Sequence, residues 1–184
     1  ASDPQYDNRR LEALWVYQAL DTVEPALLAA LLESSQPQIR TAATRVISHW
    51  QSRLPNAEEL LAARAADEHP RARLEALRCL GQMPNNRSVE LAASVLSRPM
   101  DRFLDYGLWL TARELEPVWL PQVLDGKHPI ADVDQLVFFL LASVDRRVGE
   151  PLVNLVRSGE VPQSREEEVL KRITDSQVTL PEGF

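Results

Sequence analysis

The stretch Asp67-Glu-His-Pro-Arg-Ala-Arg-Leu-Glu-Ala-Leu-Arg-Cys-Leu-Gly-Gln-Met83 decides the fold. Its core, Arg73-Leu-Glu-Ala-Leu77, repeats Arg10-Leu-Glu-Ala-Leu14 letter for letter. The distance between the two copies is about twice the length of one helical-hairpin repeat. An intermediate copy is therefore expected. It lies at Pro37-Gln-Ile-Arg-Thr-Ala-Ala43, where Pro37 and Arg40 match Pro70 and Arg73 at one common offset.

Apolar residues recur at helical spacing along most of the chain, and proline or glycine marks the turns between these segments. No alternating apolar pattern indicates a strand. Each predicted hairpin has one apolar face that only its neighbours can cover. We therefore predict an all-α fold in which about five hairpins stack into a right-handed α-solenoid over residues 1–176, followed by a C-terminal tail at 177–184. The second helices of the hairpins are predicted near residues 9–20, 38–50, 70–83, 101–115 and 131–144.

The recurring proline and arginine have a structural purpose. Pro70 sets the first turn of a second helix, and Asp67 just before it can accept hydrogen bonds from exposed amides and from an arginine. Successive arginines are then expected to form a ladder between repeats. The predicted ladder residues are Arg10, Arg40, Asp67 and Arg73.

A column of small residues accompanies this ladder, and small side chains let helices approach closely. It comprises Ala13, Ala43, Ala76 and Gly107. The combination of proline, arginine and alanine resembles HEAT repeats. The fourth copy departs from the pattern, because Met100 stands where proline is expected.

Tryptophan and arginine alternate in a neighbouring column, with polar and aromatic residues one turn away. Second helices usually line the concave wall of such a solenoid, where a partner is held, and tryptophan and arginine are frequent binding hot spots. One interpretation is therefore a partner-binding groove; the other is structural stacking of tryptophan and arginine between adjacent repeats. The candidate binding residues are Trp15, Arg45, His49, Arg78, Tyr106, Trp109 and Arg113.

Charge argues against a nucleic-acid partner. The net charge is −7. Residues 101–184 hold 15 acidic and 9 basic side chains, whereas the first hundred hold 12 and 11, so neither part has the cationic excess that binding to phosphates requires. The longest apolar run is much shorter than the roughly 20 residues that cross a membrane. We therefore expect no nucleic-acid partner and no membrane insertion by this segment.

The sequence offers little that indicates catalysis, and we predict no catalytic residues, no metal and no cofactor. His49, His69 and His128 lie far apart, and the last two each precede a proline in a turn, where we expect exposed side chains. Glu166-Glu-Glu168 is interpreted as helix-start charge and not as a calcium ligand set. Cys79 falls on an apolar column, which predicts a buried thiol.

Four segments, namely Leu11–Val16, Asp67–Ala76, Arg102–Leu115 and Trp119–Pro121, carry a more specific resemblance. They look like the HEAT-repeat region of large bacterial membrane-associated dehydrogenase-like haem proteins. In that family a propeller resembling sorbosone dehydrogenases comes first and a c-type cytochrome domain follows. The resemblance covers roughly residues 5–126. It implies an exported, periplasmic parent protein and companion domains of the same chain as partners, but it carries over no redox activity.

Two functions of different class follow. The first is a non-catalytic interaction or scaffold module, which links or docks domains of an exported redox protein or holds a protein partner. The alternative is a nucleic-acid-binding protein of the alkylpurine DNA glycosylase type built on HEAT-like repeats, for which Glu75 beside Arg78 is the nearest candidate carboxylate. A haem- or bilin-handling repeat protein is a third hypothesis, which ligand-dependent absorbance would test.

Overall fold

The structure, a computed structural model, describes residues 4–127 and 129–177. Within these ranges it contains eleven α-helices joined by turns and short 3-10 segments, and no strand. The predicted tail lies outside the described residues from 178 onward. The helices are α1 Pro4–Ala19, α2 Pro25–Leu32, α3 Pro37–Trp50, α4 Ala57–Ala65, α5 Pro70–Gly81, α6 Asn86–Ser94, α7 Arg102–Glu114, α8 Glu116–Leu124, α9 Val133–Ala142, α10 Gly149–Ser158 and α11 Glu166–Asp175.

The helices pack in two layers. The odd-numbered helices follow one another in contact from α1 to α11, and α4, α6 and α8 form a second layer beside them. In chain order the hairpins are α2–α3, α4–α5, α6–α7, α8–α9 and α10–α11, while α1 packs on α2 and α3. Helices α8 and α9 are joined by the edge contact of the Trp119 and Phe139 rings at 5.7 Å. Because each hairpin buries its apolar face only against its neighbours, the fold is an all-α solenoid, as predicted.

Proline opens the first three helices of the odd-numbered layer. Steps of equal length separate Pro4 from Pro37 and Pro37 from Pro70. Proline suits this position because the first amides of a helix have no intrahelical partner. A third equal step from Pro70 would place the start of α7 at residue 103. The helix begins one position sooner, at Arg102, and it is capped by Asp101 where the earlier helices have proline at their first position. Helix α1 thus begins at Pro4 and not near residue 9.

Counting from these helix starts sets the register of the repeats. Ala43, Ala76 and Leu108 are each the seventh residue of their helix, and each is fully buried. The predicted small-residue column is therefore wrong at both ends. Gly107 lies one position earlier, and Ala13 lies three positions later and is exposed. With no proline to mark the start of α7, the predicted column steps 31 residues from Ala76 to Gly107, whereas the observed step to Leu108 is 32. In α1 the column follows a five-letter match that is shifted by almost one turn.

A repeated hydrogen bond confirms this register. The Cys79 thiol of α5 donates to the backbone carbonyl of Thr44 in α3 at 3.5 Å. One repeat later, the Thr111 hydroxyl of α7 shares its proton between the carbonyl of Gly107 in its own helix at 3.0 Å and the carbonyl of Leu77 in α5 at 3.3 Å. Cys79 and Thr111 are both the tenth residue of their helix, and Thr44 and Leu77 are both the eighth. The joint between second helices is therefore the same in consecutive repeats.

Candidate interaction surface

Asp67 is the centre of a buried ion cluster between two repeats. Its carboxylate accepts hydrogen bonds from Nε and Nη2 of Arg40 at 2.7 and 2.8 Å, from Nη1 of Arg64 at 3.2 Å and from the amide of His69 at 2.9 Å. Burial by itself raises the pKa of Asp67. The hydrogen bonds from Arg40 and His69 and the nearby guanidinium charges outweigh burial and hold that pKa below its usual value.

The cluster belongs to a series of contacts that joins successive repeats, which we call the rungs. In each rung the fourth residue of a second helix bonds to the residue three positions before the next second helix. Ser34 donates to Asp7 at 2.6 Å, Arg40 donates to Asp67, and Nη2 of Arg73 donates to the carbonyl of Pro99 at 2.6 Å.

Of the four predicted ladder residues, the structure therefore brings three together. Arg73 also donates to the carbonyl of Asp67 at 2.7 Å, so Arg40, Asp67 and Arg73 are directly linked. Arg10 lies elsewhere, because its guanidinium stacks over Tyr6 and pairs with Asp7 of its own helix at 3.9 Å. The contributions of Asp7, Ser34 and Arg64 escaped the sequence analysis, since a serine, an aspartate and an arginine share no motif.

The exposed side of α3, α5 and α7 carries the predicted arginines, and we call it the second-helix face. Arg45 donates to both carboxylate oxygens of Glu75, at 2.5 and 3.3 Å, and Arg78 approaches the same carboxylate at 3.5 Å. Glu75 is buried, whereas both arginines are exposed. The hydrogen bonds to Glu75, and then its charge, raise the pKa of Arg45. Glu75 therefore joins α3 to α5 across this face.

Two of the predicted aromatic residues, Tyr106 and Trp109, form a second cluster on α7 with Arg113. The rings of Tyr106 and Trp109 stack at 5.9 Å, and the Arg113 guanidinium lies 4.5 Å from the centroid of the Trp109 ring. Tyr106 is 61% exposed, whereas Trp109 is half-buried against the core. The observed cation–π contact is made within one helix. It therefore differs from the predicted stack of tryptophan and arginine between adjacent repeats, because both residues belong to α7.

The observed register changes the composition of the tryptophan and arginine column. Arg45 and Arg78 are the ninth residues of their helices, and they share this position with Glu12 and Leu110. The two tryptophans occupy other positions: Trp15 is 48% exposed near the end of α1, and Trp109 lies one residue before Leu110. His49 is exposed on α3. The seven predicted residues thus lie along one layer of helices, but the two tryptophans do not share a column with Arg45 and Arg78.

A depression of about 910 Å³ crosses α3, α5 and α7 on the second-helix face, and we call it the α3–α5–α7 groove. Sequence reasoning missed most of its lining, because its apolar members looked like core residues. One of these apolar residues, Phe103, is 59% exposed. The lining residues are Gln38, Thr41, Ala42, Arg45, His69, Pro70, Arg71, Leu74, Glu75, Asp101, Phe103 and Leu104.

The single cysteine and the histidines in turns are the residue types here that could take part in catalysis. Cys79 is buried, as predicted, and burial raises the pKa of its thiol to about 12, so almost none is thiolate at neutral pH. His69 is half-buried and lines the groove, so the prediction of an exposed side chain is wrong. His128 lies outside the described residues. In the described part of the chain, no cluster of histidine, cysteine and acidic residues has the arrangement of a metal site.

No helix within the described ranges is long and apolar enough to cross a membrane.

Residues 24–104 match the family model of HEAT repeats. No curated protein and no solved structure matches the chain. The match covers α2 to α6 and the start of α7, so this part of the chain is similar to a HEAT-repeat region. HEAT repeats generally mediate protein–protein interaction or scaffolding, and the family is typically non-catalytic.

Proposed function

We propose that this chain is a non-catalytic interaction module that docks or links companion domains of an exported bacterial redox protein. The observation that supports a docking role is the second-helix face, where Tyr106, Arg45 and Arg78 are exposed together on adjacent helices. Tyrosine and arginine are the residue types that most often dominate binding energy at protein interfaces.

The redox and periplasmic parts of the proposal depend on the resemblance of residues 5–126 to the repeat region of dehydrogenase-like haem proteins. In such a parent, the module would hold a propeller and a haem domain at a fixed separation. An array of hairpins that contact only their neighbours suits this role, because it presents a long surface to more than one domain. The partners are then proteins or domains, and no cofactor needs to bind to this chain.

Capture of a partner tests the docking role. The immobilised chain would be incubated with an extract of its source, beside the double variant Arg78→Ala/Tyr106→Ala. Both side chains are exposed, so we expect the variant to unfold with a free energy within about 1 kcal/mol of the wild type. The half-buried Trp109 is a poorer choice, since its truncation would also disturb the core.

The matched control is Arg87→Ala, which removes an exposed arginine from α6 in the other layer. We expect the double variant to lose the captured partner and the control to retain it. Equal capture by both proteins would contradict a role for the second-helix face. Retardation of duplex DNA by the chain at low salt would favour the nucleic-acid alternative instead.

A further inference from the structure

One side of α1 is exposed, although the equivalent side of the next second helix is buried. Counted from the start of α3, the third, seventh, tenth and fourteenth residues all lie in the core. The tenth position faces the preceding second helix, because Cys79 of α5 contacts α3 and Thr111 of α7 contacts α5. The same four positions of α1 therefore point away from α3. The arginine at one of them is half-buried and the other three residues are exposed. The four residues are Tyr6, Arg10, Ala13 and Tyr17.

Together with Leu20, these residues form a stripe with the spacing of a coiled-coil seam, which we call the α1 stripe. The amide of Leu20 donates to the carbonyl of Val16 at 2.9 Å, so Leu20 continues the last turn of the helix. Residues that follow one another at alternating steps of four and three keep to one side of a helix, and two helices pack along such a line. The α1 stripe is therefore suited to a second helix. Its members, at steps of four, three, four and three, are Tyr6, Arg10, Ala13, Tyr17 and Leu20.

Arg10 argues that this partner helix is not one more repeat of the same array. The seventh position holds alanine in α3 and α5 and leucine in α7, and the packing of the repeats buries each of them completely. A repeat packed on α1 in the same way would bury Arg10, which is costly for a guanidinium without a partner. The contact of Arg10 with Asp7 is long, at 3.9 Å, and the Asp7 carboxylate already accepts from Ser34. The partner helix must therefore offer Arg10 a group that can pair with it.

We propose that the α1 stripe binds the α1 stripe of a second copy of this chain, with the two helices antiparallel and centred on Ala13. In this arrangement Tyr6 of one copy lies opposite Leu20 of the other, and Arg10 lies opposite Tyr17. A guanidinium beside a tyrosine ring makes a favourable cation–π contact, so the second copy supplies a partner for Arg10. Ala13 meets its own equivalent, where small side chains let the helices approach closely. Since one patch is used twice, the interface closes as a two-fold dimer.

Other orientations and partners fit the α1 stripe less well. In a parallel pair Arg10 would face Arg10 of the other copy, and like charges placed against each other repel. A nucleic acid would meet a neutral helix, because the two acidic residues of α1 balance its two arginines. The order of side-chain sizes along the stripe is large, large, small, large, large, which reads the same from either end. This symmetry favours a second copy over an unrelated helix.

The area of the α1 stripe predicts a weak, reversible dimer. Leu20 is 70% exposed and Tyr6 is 53% exposed. Since a fully buried aromatic side chain covers roughly 200 Å², each large residue of the stripe has about 100 Å² to bury, and one copy buries on the order of 400 Å². An interface of about 800 Å² in total is typical of transient complexes. We therefore expect a dissociation constant between about 10 µM and about 1 mM.

This inference does not depend on the proposed docking function. The second-helix face belongs to α3, α5 and α7, whereas the α1 stripe lies on the side of α1 that points away from them. The double variant Arg78→Ala/Tyr106→Ala should therefore leave the dissociation constant of the dimer unchanged. Loss of partner capture and loss of self-association are separate results.

Sedimentation equilibrium of the whole chain between about 10 µM and about 1 mM measures self-association in the expected range. The test variant is Ala13→Glu, which places two carboxylates against each other at the two-fold axis and keeps a good helix former in α1. The matched control is Ala19→Glu, which changes another exposed alanine of α1 about 120° away around the helix. We expect Ala13→Glu to weaken the dimer by about tenfold or more and Ala19→Glu to change it less than about twofold.

Three results of this experiment would overturn the inference. The first is a wild-type chain that stays monomeric at about 1 mM. The second is an equal weakening by both variants while circular dichroism shows both to be folded. The third is growth of the wild type into species larger than a dimer, since a self-complementary patch closes at two copies.

A disulfide trap tests the antiparallel arrangement directly. In Ala13→Cys the two new thiols meet at the axis, within the roughly 7 Å between Cα atoms that a disulfide allows, whereas in Ala19→Cys they point apart. The native Cys79 stays silent, because burial raises the pKa of its thiol to about 12. We expect mild oxidation to link the Ala13→Cys chains in pairs and to leave the Ala19→Cys chains single. Equal linking of both variants, or a wild-type dimer that Ala13→Cys does not trap, would overturn the proposed packing.

Discussion

Removal of the Asp67 carboxylate should lower the free energy of unfolding by more than the loss of an exposed ion pair would. Only 3% of the Asp67 side chain is exposed, and its partners Arg40 and Arg64 are 16% and 10% exposed. Asp67→Ala leaves the largely buried guanidinium group of Arg40 without a carboxylate and leaves that of Arg64 with only the contact at 3.5 Å to the exposed Glu33. Breaking a buried pair in this way typically costs about 3–5 kcal/mol. Because Arg40 retains some contact with water, we expect a loss at the lower end of that range, about 3 kcal/mol in the free energy of unfolding.

Urea denaturation followed by circular dichroism measures this change. The matched control is Glu90→Ala, which removes one partner of the exposed Arg87–Glu90 pair and should cost less than about 1 kcal/mol. In a double-mutant cycle, Arg40→Ala and Asp67→Ala should be strongly non-additive. A loss for Asp67→Ala no larger than that of the control would refute the argument that this rung holds α3 to α5.

The same carboxylate makes stability depend on pH in a defined direction. Its pKa in the folded protein lies below the value of about 3.9 that is typical of an unfolded chain. The unfolded state therefore binds more protons in acid, and the stabilisation is complete above about pH 4 and is lost as the pH falls through the folded-state pKa. Asp67→Asn should lack this component, so its stability should fall less than that of the wild type between about pH 4 and about pH 2.

Two further predictions concern the joints between second helices. Cys79 should react with a thiol reagent only as fast as the protein unfolds, because its thiol is buried; stoichiometric labelling of the native protein within a minute would contradict this. Gly81→Ala should raise the free energy of unfolding by up to about 1 kcal/mol, because alanine favours a helix more than glycine does and the exposed Glu114 can rotate away from the new methyl group. Gly107→Ala should lower it, because its methyl group would displace the half-buried Leu74. Urea denaturation of both alanine variants measures the difference, and equal effects would contradict the assigned contacts.

The fold was accessible from sequence because it depends on a signal that many residues share. Each helix needs only apolar residues at helical spacing and a proline or polar residue at its start. One substituted letter changes such a pattern little. The helices α3 and α5 therefore begin where Pro37 and Pro70 predict, and the all-α solenoid follows from the need of each hairpin to cover its neighbour.

The surface was less accessible, because it depends on register to a single residue. A shift of one position moves a residue about 100° around a helix, so Trp109 and Leu110 occupy different faces of α7. No proline marks the start of α7: an equal step from Pro70 gives residue 103, the predicted column through Gly107 implies 101, and the helix begins at Arg102. No composition or periodicity argument reports such a change. The α3–α5–α7 groove was missed for a different reason, since Leu74 and Phe103 are residue types that usually lie in a core, and sequence does not show that they line a surface groove.

The rungs explain why an alignment of the repeats by their longest identical string gives the wrong register. The chemistry of the rung changes from repeat to repeat: a hydroxyl donates to the carboxylate of Asp7, Arg40 donates to a carboxylate, and Arg73 donates to a backbone carbonyl. What recurs is the place where a donor meets an acceptor and not the residue type that supplies either. A comparison of letters therefore pairs Arg10 with Arg73, while the structure places Asp7 at the equivalent position. In this array the start of each helix is a better guide to equivalence than the longest identical string.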